Sequence, residues 1–83
     1  MATITGLINC TFENESSKSE GTFTILTTSD GTKYTLYRKE HFPINDTFFY
    51  QFDTKKVVVE GEIEERNGYI CVSSIREETN IES

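Results

Sequence analysis

Eighty-three residues leave room for one domain and a modest hydrophobic core. Fourteen acidic against eight basic residues give a net charge of -6, which opposes non-specific attraction to phosphate backbones and anionic membranes. Apolar runs are short, as in Val57-Val58-Val59, so neither a membrane span nor a leader is legible and a cytoplasmic protein is expected.

Residues 3–13, TITGLINCTFE, alternate: Ile4, Ile8, Cys10 and Phe12 take one side of a strand, Thr3, Thr5, Asn9 and Thr11 the other. Gly6 falls on the inward side, as suits a strongly coiled strand that bends across a barrel. Residues 14–21, NESSKSEG, are small and polar and form a loop. A second strand over 22–29 places Phe23 and Ile25 inward, with Thr22, Thr24, Leu26 and Thr28 outward. Asp30-Gly31 then signals a hairpin, because this pair tolerates positive φ. The third strand, 32–38, points Tyr34 and Leu36 inward and Lys33, Thr35 and Tyr37 outward.

The alternation breaks in KEHFPINDTFFYQFD, residues 39–53, which holds the single proline and the single histidine. Asp46 can cap a short helix with Phe48, Phe49 and Phe52 on one face, although the aromatics also suit a strand. Either way three phenylalanines gather as a plug over one barrel end. Strand alternation resumes from residue 55 and runs to 78. Val57, Val59, Gly61 and Ile63 share the inner face, and Val58, Glu60, Glu62 and Glu64 the outer. Asn67-Gly68 predicts a two-residue type I′ turn. Ile70 and Val72 lead the last strand back, and the Ser73-Ser74 step before Ile75 suggests a bulge that changes phase. The tail, 77–83, is expected to fray.

Strand, strand, strand, plug, strand, strand describes an all-β domain over 1–83. In these elements the chain resembles small single-domain OB-fold proteins. The marks are the glycine within TITGLINC, the Asp-Gly hairpin, the Phe-rich linker and the closing VVVEGEIEERNGYICVSSI. The resemblance implies a five-stranded OB-type Greek-key barrel with a short helix or plug between strands 3 and 4. It implies no catalytic residue and no cofactor. An SH3-like barrel also has five short strands, but the long linker between strands three and four argues against it. The expected core is Ile4, Ile8, Phe12, Phe23, Ile25, Tyr34, Leu36, Val57, Val59, Ile63, Ile70 and Val72.

No phosphate loop, nucleophile elbow or paired carboxylates within an apolar stretch appear, so no enzyme is expected. His41 is expected as an ordinary loop residue. Cys10 and Cys71 lack metal-type spacing; two reduced thiols are expected, with Cys10 buried. Single-stranded nucleic acid on the outer face of strands 2–3 would need stacking aromatics and basic residues. Lys33, Tyr37, Arg38, Lys39 and Leu26 are the candidates, with Lys18 and Arg66 nearby. Glu13, Glu15 and Glu20 crowd the first loop and Glu64 and Glu65 the last turn, which disfavours that ligand. Glu60, Glu62 and Glu64 form an outward row, flanked across the hairpin by Glu77 and Glu78. Such a row either keeps a strand from pairing with another molecule or receives a basic partner protein. A protein-interaction module is therefore expected first, and weak single-stranded DNA or RNA binding second.

Overall fold

A computed structural model of the chain describes residues 1–13 and 21–78. Its strands are β1 (Ala2–Glu13), β2 (Gly21–Thr27), β3 (Lys33–Arg38), β4 (Lys56–Glu64) and β5 (Tyr69–Glu77). They form one sheet that closes in a ring in the order β1-β2-β3-β5-β4. The loop expected at 14–21, with Lys18, Glu15 and Glu20, lies outside the described residues except for Gly21, and so do residues 79–83 of the expected tail.

Ring closure rests on β1, which is long enough to serve two neighbours. Its first half pairs with β4, from Ala2↔Gly61 to Leu7↔Lys56, and its second half with β2, from Leu7↔Thr27 to Glu13↔Gly21. Gly6 sits at this handover. A Cβ there would lie 2.5 Å from the Thr27 carbonyl oxygen, so only a hydrogen fits where the two ladders converge. The other ladders are antiparallel between β2 and β3, parallel between β3 and β5, and antiparallel between β4 and β5.

Ile8, Leu26, Leu36, Phe49, Val57, Val59, Ile70 and Val72 fill the ring, with Ile4, Cys10, Tyr34, Phe48, Phe52, Ile63 and Ile75 packed against them. The expected core is corrected in β2 and at the end of β1. Ile8 pairs with Leu26 and Cys10 with Thr24, and residues directly opposite in a ladder share a face. Leu26 and Thr24 are therefore buried inside, while Phe23 and Ile25 stand half-buried on the outer face. Phe12 keeps the inward phase of β1 but lies beyond the filled part of the ring and is 59% exposed.

The connections follow the sequence with one correction. Between β2 and β3, Asp30 accepts hydrogen bonds from the Thr28 hydroxyl and the Thr32 amide, and Gly31 takes φ 91°. Between β4 and β5 the turn is four residues long, 65–68, rather than a two-residue type I′ turn. That type needs positive φ at both central residues, whereas here Gly68 is left-handed at 73° and Asn67 is not. The Ser-Ser bulge is present: Glu60 pairs with Ser74 and Gly61 with Val72, which leaves Ser73 without a β4 partner. The extra residue returns Ile75 to the inner face, opposite Val59. The strand also runs further than expected, since Glu77 pairs with Val57 and the Glu78 amide bonds the Lys56 carbonyl at 2.8 Å.

The linker closes one end of the ring as a 3₁₀ helix, Thr47–Phe52. Asp46 caps it, its carboxylate accepting from the Phe48 amide at 3.1 Å. Phe49 is fully buried beneath it, and Phe48 meets both Phe49 and Phe52 edge-on. The plug is tied to β1 by the Cys10 amide on Asp53 Oδ1 at 2.9 Å. Both cysteines are free thiols, but Cys10 is half-buried rather than buried. Partial burial raises its thiol pKa, reinforced by the Asp53 charge and offset by a contact with the Thr24 hydroxyl. Among the described residues no helix is long and apolar enough to cross a membrane.

Candidate binding faces

The residues expected to bind nucleic acid are dispersed by the fold. Leu26 is in the core, with no exposed surface. Arg38 shares the inward phase of Leu36 and emerges at the plugged end, where its Nε and one terminal nitrogen bond the two Asp46 oxygens at 2.9 and 2.8 Å. Its guanidinium carbon lies 4.4 Å from the centre of the Phe48 ring. Arg38 thus clamps the plug to the end of β3. Lys33 and Lys39 are both exposed as expected, but they lie along different grooves. Arg66 is exposed in the β4–β5 turn, and His41 is exposed on the linker with Nδ1 3.1 Å from the Lys39 carbonyl.

The Asp46 carboxyl, whose side chain is 8% exposed, is held below its ordinary pKa. Burial opposes this, and the hydrogen bonds from Arg38 and the Phe48 amide, with the charges of Arg38 and His41, overcome it. A depressed carboxyl contributes stability that is full above its unfolded pKa and is lost as pH falls through the folded one. Acid titration should therefore weaken the fold through and below the ordinary carboxylate range. Asp46→Asn, which keeps an acceptor for the cap, should flatten that part of the dependence, whereas Asp46→Ala should cost about 1–2 kcal/mol at neutral pH through the lost cap. Urea midpoints measured across acidic pH check both outcomes.

Two outer faces hold the other candidate residues. The first spans β1, β2 and β3, where Asn9, Thr11, Ile25, Lys33 and Thr35 border an open groove of about 350 Å³. Threonine and asparagine dominate it, with Ile25 as its apolar floor and Lys33 as its cation. The second spans β3, β5 and β4. Tyr37 pairs with Cys71 across one ladder, Cys71 with Glu62 across the next, and Tyr69 with Glu64. The Tyr37 and Tyr69 rings meet edge-on, centroids 6.1 Å apart. The Tyr37 hydroxyl donates to the Glu64 carboxylate. That bond, with burial and the nearby Cys71, drives the phenol pKa well above its ordinary value. A groove of about 550 Å³ runs along this face, bordered by Tyr37, Lys39, Glu62, Glu64 and Cys71.

Glu60 and Glu62 are exposed and Glu64 half-exposed, as the alternation of β4 requires. Glu77 and Glu78 do not extend this row. They lie at the other end of β4, within 3.9 Å of Lys55 and 3.8 Å of Lys56 respectively. Proximity of Tyr37 to Glu64 was not legible in the sequence, because it depends on two ladder registers. The inward phase of Arg38 was legible from Tyr34 and Leu36. Comparison with family models, curated proteins and solved structures finds no match for this chain.

Proposed function

We propose that this chain is a non-catalytic OB-type binding module working through a protein partner, in the cytoplasm. The ring order β1-β2-β3-β5-β4, with a plug between β3 and β4, supports the Greek-key barrel of that class. Two free thiols suit a reducing compartment. One observation carries the choice of partner. Tyr37, the aromatic from which base stacking was expected, is hydrogen-bonded to Glu64, a carboxylate that repels phosphate. Arg38, the cation beside it in sequence, is committed to Asp46.

Weak single-stranded nucleic-acid binding is the second reading, favoured by Lys33 on the β1–β2–β3 face. Titration of labelled single-stranded DNA and RNA pools at physiological salt separates the two. Dissociation constants above ~10 μM, in the range of non-specific association, are expected. Submicromolar binding lost in Lys33→Ala would overturn the choice of partner. On the protein side, a photo-crosslinking residue in place of Ser73 should capture a protein from source-cell lysate, and nuclease treatment should leave that capture intact.

A further inference from the structure

Strand β5 has a side that the ring leaves bare. Its parallel ladder with β3 ends at Val72, opposite Arg38, while its pairing with β4 continues to Glu77. The Glu78 amide bonds the Lys56 carbonyl at 2.8 Å, and that bond sets the alternation of the β4–β5 ladder. Ser74 and Arg76 share its phase and turn their backbone groups toward Glu60 and Val58. Ile75 and Glu77 therefore turn their N–H and C=O groups the opposite way, where no strand of the described residues lies. An open groove of about 290 Å³ runs there instead, bordered by Arg38, Phe48, Ser73 and Ile75. Comparable edges nearby are closed by the linker. Asn45 bonds the backbone of Thr22 in β2 at 2.7 and 3.0 Å, and Asp53, Thr54 and Lys55 serve Ile8 and Cys10 of β1. The other bare stretch is the start of β1, at Thr3 and Thr5.

We infer that β5 pairs with β5 of a second copy, antiparallel and about a two-fold axis through Ile75. A row of free backbone groups recognises another extended backbone, and this strand is complementary to itself. Antiparallel exchange sets outward-facing residues opposite one another, so the axis falls on Ser73, Ile75 or Glu77. An axis at Ser73 drives the second copy into β3. An axis at Glu77 sets the two Glu77 side chains face to face, which like charges disfavour. Centred on Ile75, the ladder places Ile75 opposite Ile75, Ser74 opposite Arg76 and Ser73 opposite Glu77, with no like charges paired. Glu77 and Glu78 of each copy then reach the end of β3 in the other, where Arg38 and Lys39 carry positive charge. The contact is isologous and closed, and one sheet runs β1-β4-β5-β5-β4-β1 through both copies. A ladder confined to 73–77 and a net charge of -6 on each copy keep the pairing weak and reversible.

Sedimentation equilibrium tests this with the full chain from ~10 μM to ~1 mM, the span in which so small an interface is expected to associate. Apparent mass should rise from 9.5 kDa toward twice that value. Exchange of the Ile75 and Glu77 amides should slow over the same span. In a mixture of isotope-labelled and unlabelled chains, the Ser74 and Arg76 α-protons should be in contact between copies, because non-hydrogen-bonded pairs bring them together. Glu77→Pro removes an N–H that β4 does not use, at an edge position where proline is tolerated. It should weaken association roughly ten-fold or more with circular dichroism unchanged, since symmetry removes the bond twice. Glu77→Gln keeps that N–H and should change association only about two-fold. A chain that stays monomeric at the top of the span, protection of Thr3 and Thr5 instead, or undiminished association of Glu77→Pro overturns the inference. Should Glu77→Pro fail to fold, the α-proton contact decides, and a dimer without it sinks the register.

Discussion

Phe49→Ala is expected to lower the unfolding free energy by about 3–5 kcal/mol, most of what a domain this size has to lose. Phe49 is fully buried and is the largest side chain so enclosed, and it alone of the 3₁₀ helix reaches the interior of the ring. Truncation would open a cavity bounded by β-strands whose ladders already fix their positions, so little collapse can offset it. Urea unfolding followed by circular dichroism measures the loss. Phe42→Ala is the control, because Phe42 is 80% exposed and should change stability by no more than about 0.5 kcal/mol. A truncation at Phe49 as mild as that control would mean the helix does not seal the ring.

Leu26→Ala should cost about 2–5 kcal/mol, and Ile25→Ala distinctly less. Leu26 has no exposed surface and Ile25 is half-buried on the outer face. The pair decides the phase of β2, since the opposite ranking would put Ile25 inside and shift every neighbouring ladder by one residue. The comparison of the two variants, made under one set of conditions, does not depend on the absolute stability of the chain.

Strand β2 also shows where the sequence stops being legible. GTFTILT offers an apolar residue to either face, Phe23 and Ile25 to one and Leu26 to the other, so counting favours the wrong side. The pairing of Ile8 with Leu26 decides it, and pairing is long-range information. In β4 one face carries Val57, Val59 and Ile63 and the other Val58 and three glutamates, so alternation suffices there and the exposed row is read correctly. Phe12 fails for a different reason. Phase says which way a side chain points, but not whether the ring still surrounds it. The plug was legible because a capping Asp46 and three phenylalanines leave few other ways to bury the aromatics. Of the candidate faces, the acidic row was legible as a set, with Tyr69 opposite Glu64 in the β4–β5 hairpin, whereas Tyr37 was brought to it by the parallel β3–β5 ladder.

The double duty of β1 bears on how the protein is made. Its partner for ring closure is β4, with Ala2 opposite Gly61, and β3 waits for β5, with Arg38 opposite Val72. Hairpins such as β1–β2 can form early, but the closing ladders wait until β4 and β5 have left the ribosome. Such distant pairings pay their loop-closure entropy before any reward, which sets folding toward the millisecond-to-second end of the range for small domains. During synthesis, then, an emerging chain holds open strand edges for seconds at ordinary elongation rates. A net charge of -6 adds repulsion between such open edges on neighbouring chains, which opposes their pairing with one another.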